Sequence, residues 1–215
     1  MVYEIKRSKY PRTKHLPFSE AVSEEDQVSK SVDNFYGRQV VVTEKLDGQN
    51  TTIYEDGYTH ARSIDGKSHP SQYWLKSFVP SFSFKIPKGY RLCGENVYAK
   101  HSIFYNKLTA YFYLFSIWTE NNECLSWEDT IEWAEILGLE TVPVLYRGIW
   151  DEDKIKACWT GKSVFGEEQE GYVVRLTSSF KLDDFSISLS KMVRKGHVQT
   201  SKHWMTEEVV PNCLG

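Results

Sequence analysis

The stretch from Arg38 to Arg62 constrains the fold more than any other part of the chain. Arg38-Gln39-Val40-Val41-Val42-Thr43-Glu44-Lys45 is dense in β-branched residues and reads as a strand. Asp47-Gly48 is a turn dipeptide after which Asn50-Thr51-Thr52-Ile53-Tyr54 returns as a second strand, a hairpin pattern. Asp56-Gly57 turns again into Tyr58-Thr59-His60-Ala61-Arg62. Such closely spaced strands and turns predict antiparallel pairing.

Further strands are predicted at residues 90–97, 110–118, 171–176 and 185–193. A short one at 142–146 is demoted by Pro143 to an edge or a strand start. The clearest helix runs from Ser126 to Leu137. Ser126 caps it with Asp129 three residues on, Trp127, Ile131, Ala134 and Leu137 form its apolar stripe, and Gly138 stops it. Shorter helices are predicted near 72–77 and over 151–160. Strands outnumber helices and the helices are not regularly interleaved, which gives an α+β class of mainly antiparallel sheets flanked by helices.

The chain has 215 residues, so one globular domain over residues 38–215 is expected. Residues 1–37 are polar, with Pro11 and Pro17 enforcing an extended N-terminal arm. Its Arg12, Lys14 and His15 suit either a solvated arm or a phosphate contact. The chain balances 26 Lys+Arg against 29 Asp+Glu, which excludes a strongly basic nucleic-acid coat and an acidic disordered tail but leaves room for a local basic groove. No apolar run approaches the length of a membrane span, and Met1 to Pro11 lacks the apolar core of a secretory signal. The widely spaced Cys93, Cys124, Cys158 and Cys213 form no zinc or disulfide pattern, and point to reduced thiols in a cytoplasm.

The sharpest chemical feature is Glu44-Lys45-Leu46-Asp47-Gly48. A lysine ends an apolar strand just before a tight turn, so it emerges from buried backbone. An ordinary lysine is protonated and a poor nucleophile; a partly buried, cation-rich phosphate site would favour the neutral amine, which attacks phosphorus. Asp47 would orient it, and Gly48 would let backbone approach a ligand. On these five residues alone, a hairpin with an exposed strand-end lysine is the simpler account. Downstream, however, come Arg62 closing a strand, Gly94-Glu95 ending another, Phe115 within an aromatic strand, Glu170-Gly171 opening a strand and Lys191 near the end of the last. Each alone suits a structural role; the ordered set does not suit coincidence.

The set resembles the covalent nucleotidyltransferase superfamily of ATP-dependent RNA ligases, DNA ligases and mRNA capping enzymes. Lys45-Leu46-Asp47-Gly48 is similar to motif I, Arg62 to motif Ia, Gly94-Glu95 to motif III, Phe112 to Ile117 to motif IIIa, Glu170-Gly171 to motif IV and Lys191 to motif V. The stretches at 9–13, 94–103 and 193–200 resemble the compact RNA ligases of bacteria and phages. The resemblance implies the nucleotidyltransferase (ATP-grasp-like ligase) domain and an RNA ligase using ATP and Mg²⁺ or Mn²⁺. Lys45 would carry AMP. Glu44 and Phe115 would flank the adenine, Arg62 and Glu95 would hold the ribose or phosphates, and Glu170, with Glu95, would hold the metal. Lys191 would contact the α-phosphate; Asp47 and Arg194 complete the implied nucleotide-binding set. Lys45, Glu170 and Lys191 would be the catalytic residues.

Two departures stand out. Ser116 follows Phe115 where many ligases have an acidic residue, and Val193 stands where motif V has a second lysine, which leaves Arg194 or Lys195 to supply that cation. Only 24 residues follow Lys191, too few for an appended oligonucleotide-binding fold, so a bare catalytic module is expected. The expected partner is RNA with 5′-phosphate and 3′-hydroxyl ends, with an end-healing kinase or phosphatase upstream, and the expected form is a monomer. The alternatives are another polynucleotide ligase, a capping-type nucleotidyltransferase, or a non-catalytic module binding nucleotide or RNA ends.

Overall fold

The computed structural model describes residues 5–20, 22, 26–64, 69–196 and 208–215. Its strands are β1 (Gln39–Lys45), β2 (Gln49–Tyr54), β3 (Thr59–His60), β4 (Arg91–Asn96), β5 (Phe112–Trp118), β6 (Glu123–Cys124), β7 (Glu140–Thr141), β8 (Val144–Ile149), β9 (Gly171–Leu176), β10 (Phe180–Lys181) and β11 (Leu189–Val193). The α-helices are α1 (Tyr73–Phe78), α2 (Trp127–Leu137), α3 (Glu152–Lys156) and α4 (Phe185–Ser188). One sheet has the order β11-β9-β1-β8; the other runs β10-β6-β5-β4-β2-β3, with β7 beside β5. Every strand pair is antiparallel except β5–β7.

The expected hairpin at Asp47-Gly48 is instead a corner between the two sheets. β1 pairs with β8 and β9, whereas β2 pairs with β3 and β4. The corner is anchored from outside the turn. The Asp47 N–H donates to the Tyr105 hydroxyl at 2.8 Å, and a Cβ on Gly48 would lie 2.5 Å from the Asn96 carbonyl oxygen. Gly48 thus serves a close approach to β4. The Asp56-Gly57 turn does close a hairpin, β2–β3.

β1 carries Val40 and Val42 on one face and Val41 on the other, all with no exposed surface. Val40 and Val42 join Tyr172, Val174, Met192, Trp150 and Leu16, while Val41 joins Val97, Tyr113 and Trp127 between the sheets. A strand covered on both faces has no polar alternation, hence its unbroken valine run. α2 forms as expected, with the Asp129 N–H donating to Ser126 Oγ at 3.1 Å. Residues 185–193 do not form a single strand: Phe185–Ser188 is a helical turn after the acidic Asp183-Asp184, and only Leu189–Val193 is extended. β8 is the outer strand of its sheet, as Pro143 predicts.

The arm is docked. Lys191 N–H donates to the Lys14 carbonyl at 2.9 Å and Leu16 N–H to the Lys191 carbonyl at 2.7 Å, which places residues 14–16 alongside β11. Residues 208–215 bind the loop between β4 and β5: Asn212, 1% exposed, donates to the Val97 carbonyl at 2.7 Å and accepts from the Tyr105 N–H at 2.9 Å. Among the described residues no helix is long and apolar enough to cross a membrane.

Candidate active site

Lys45 closes β1 at the sheet corner, and Glu170 stands immediately before β9, whose Gly171 pairs with Lys45. That register brings Lys45 Nζ to 2.6 Å from Glu170 Oε1. The lysine side chain is 24% exposed and the glutamate's 1%. Burial alone would lower the Lys45 pKa, but Glu170, Glu95 and Asp47 together outweigh it and the net shift is upward. Against the expectation of a neutral amine, the nearest charges are carboxylates, and Lys45 rests as an ammonium.

Glu95, near the end of β4, is pushed up to about 8 by burial, with Glu170 and Asp47 adding repulsion and Lys45 opposing them. Such a carboxyl binds its proton more tightly in the folded than in the unfolded chain. Its stability contribution is therefore lost as pH rises from the unfolded value through about 8. Glu95→Gln is expected to melt at the wild-type temperature near about pH 5 and several degrees above it at about pH 8, read by calorimetry across that range. An equal offset at both pH values would place the destabilisation elsewhere.

Asp47 does not bond Lys45. Its Oδ2 accepts from the Ser102 N–H at 2.8 Å, the Ser102 hydroxyl at 2.6 Å and the Ile103 N–H at 2.8 Å. These bonds fix the loop that presents His101, whose pKa is lowered by burial while Asp47 and Glu170 pull it up. His101 lies within the 94–103 stretch, but as a single residue it carries no spacing signal; only the Asp47 bonds disclose it.

Phe115 is the residue skipped by a register shift in the β4–β5 pairing, where Gly94 faces Leu114 and Cys93 faces Ser116. A bulge re-aims a side chain, and Phe115 lies partly buried between two core clusters, edge-on to Tyr10 with ring centroids 5.3 Å apart. Ser116 is 3% exposed and accepts from the Trp118 indole at 3.1 Å, an apolar-core role. Glu44 alternates away from Lys45: its Oε2 accepts from the Val164 N–H at 3.0 Å, and its Oε1 is buried with no partner among the described residues. Burial raises its pKa.

Lys191, 7% exposed, is lowered to about 8 by burial and by repulsion from Lys45. Val193 beside it is buried, and the Arg194 guanidinium is engaged by Glu168 at 2.7 Å. Arg62 is exposed after β3, with Arg12, Glu95 and Asp26 as its charged neighbours. The structure therefore gathers Lys45, Glu170, Glu95 and Lys191, sets Arg62 at their margin, and turns Glu44, Asp47 and Arg194 to other partners. His197 to Thr200 of the 193–200 stretch lie outside the described residues.

No group of three or more His, Cys, Asp or Glu among the described residues forms a ready-made metal cage. The crowded Glu95 and Glu170 nevertheless fit a hard divalent ion, which is commonly held by one or two carboxylates with substrate phosphates and water.

A family model described as RNA ligase matches residues 38–193. The chain belongs to the RNA ligase family. No curated protein matches it in sequence. Among solved structures, an archaeal ATP-dependent RNA ligase superposes with a TM-score of 0.58 at 18% identity, over 86% of this chain and 48% of that one. A Naegleria gruberi RNA ligase with PPi gives 0.57 at 19% identity, over 87% and 61%. A variant of that ligase with ATP and Mn gives 0.58 at 16%, over 87% and 62%. This RNA ligase family member shares their fold and spans about half to three-fifths of their length.

Proposed function

We propose that the chain is an ATP-dependent RNA ligase that joins 5′-phosphate and 3′-hydroxyl RNA ends through AMP carried on Lys45. The observation that carries this reading is the Lys45 amine seated 2.6 Å from Glu170, ringed by Glu95 and Lys191, in a member of the RNA ligase family.

In the first step Lys45 Nζ forms a bond to the α-phosphorus of ATP as the α–β phosphoanhydride bond breaks, and pyrophosphate leaves with the electron pair. The ammonium must first shed a proton, and Glu170 Oε1 is the acceptor within reach. AMP then passes to the RNA 5′-phosphate, and attack by the 3′-hydroxyl expels it. Lys191 offsets charge on the α-phosphate, a contribution that grows in the transition state. Phe115 stacks on the adenine, and the unpartnered Glu44 Oε1 accepts from its amino group. Arg62 steadies the ribose or phosphates. Glu170 and Glu95 would hold Mg²⁺ or Mn²⁺, which offsets phosphate charge when bound. Three buried, unpaired cysteines suit a reducing cytoplasm. RNA ends carrying other groups would need a kinase or phosphatase first.

The test is incubation of the full chain with ATP labelled at the α-phosphate and Mg²⁺ or Mn²⁺, followed by denaturing separation. Covalent label, preferred over that from GTP and chased into sealed nicked RNA, is the expected result. A chain that stays unlabelled where a known ligase labels is not this enzyme.

A further inference from the structure

Residues 5–20 lie outside the stretch that matches the family, yet they meet the site at both walls. Tyr10 packs edge-on against Phe115 at 5.3 Å and Phe185 at 5.4 Å. Further along, the two backbone bonds from Lys14 and Leu16 straddle Lys191 and set His15 beside it. His15 is fully buried. Its Nδ1 lies 2.8 Å from Ser19 Oγ, which accepts from the Val193 N–H of β11 at 3.0 Å. On the other side of the ring, Nε2 is 3.4 Å from Asp26 Oδ1, and the same oxygen is 3.8 Å from Lys191 Nζ.

The arm therefore brings one carboxylate to a buried cation whose other charged neighbours include Lys45 and Arg62, which repel it, and Glu170, which attracts it. A lysine ammonium sits on a flexible four-carbon stem, and holding it in one place costs rotamer entropy. Two like charges nearby add a force that would swing it aside.

We propose that Asp26, lying between His15 and Lys191, is a positioning residue that holds the Lys191 ammonium in place for the phosphate of the nucleotide. This rests on the ligase reading above. It requires Asp26 to act through Lys191 and to help the reaction. A carboxylate that merely filled the phosphate's place would hinder it.

The experiment uses the full chain and single-turnover AMP transfer from labelled ATP with Mg²⁺. Asp26→Asn, nearly isosteric, is expected to slow the saturated step about tenfold while moving the half-saturating ATP concentration less than about threefold, a split that loss of folding alone would not give. Asp26→Glu should recover most of the rate. In a Lys191→Ala background the further loss from Asp26→Asn should shrink to under about twofold, because the interaction has already gone. Multiplying losses in the double variant, or an Asp26→Asn chain as fast as or faster than wild type, would overturn the proposal. A wild-type chain that takes no label sinks the ligase reading instead, so the two failures are told apart.

Discussion

Lys45→Ala is expected to carry no AMP at all, and to melt several degrees below the wild type at about pH 8. The first outcome follows from removing the attacking nitrogen. The second follows from Glu170, which is 1% exposed and loses the cation 2.6 Å away. Breaking a buried pair by deleting one partner costs about 3–5 kcal/mol. Because Lys45 is 24% exposed and water can enter, about 2–3 kcal/mol is the better figure here, or roughly 5–10 °C in a chain of this size. Lys45→Arg separates the two effects: it keeps the charge, restoring most of the melting temperature, and still takes no AMP. Label surviving in Lys45→Ala would show that another residue is the nucleophile. A variant as stable as wild type at about pH 8 would show that the ion pair contributes nothing.

Gly171→Ala should be nearly as damaging although it removes no functional group. Gly171 pairs with Lys45 on one side and Val193 on the other. A Cβ there would overlap the Met192 carbonyl oxygen of β11. Backbone cannot swing away as a side-chain tip can, so β11 would have to leave β9, taking Lys191 with it. Overpacking of this kind costs about 3 kcal/mol or more, or roughly 10 °C. The measurements are the melting temperature and the single-turnover rate at a temperature where the variant remains folded. A fall under about 2 °C with an unchanged rate would mean that β11 tolerates a wider spacing than this structure gives it.

Local pattern was readable and distant pairing was not. The valine run of β1 and the Ser126–Gly138 helix depend on neighbours within a few residues, and both form where residue type, capping and apolar spacing place them. Asp47-Gly48 misleads because the dipeptide specifies a reversal of direction, not which strand comes back to pair. Tyr105, Ser102 and Asn96 decide that, from some fifty positions away. Motif order names Lys45, Glu95, Glu170 and Lys191, which the structure brings together, but not the sign of their mutual influence: the cations expected around Lys45 are outweighed by carboxylates. Asp26 and Asn212 left no trace in the sequence, and His15 only a choice between solvent and phosphate, because a few contacts to distant residues have no period to detect.

The bond between Ser19 and Val193 joins residues 174 positions apart, and that separation sets the order in which the protein can be made. Closing so long a loop costs roughly 4–5 kcal/mol of chain entropy before any contact repays it. At ordinary rates of synthesis the arm emerges on the order of 10 to 30 s before its partner strand. Through that interval Leu16, destined for the interior, lacks the strand its backbone bonds to, and once β9 has emerged the edge that β11 will cover stays open. A nascent chain is thus sticky until β11 has left the ribosome, and its nucleotide chemistry cannot begin before that strand has been translated.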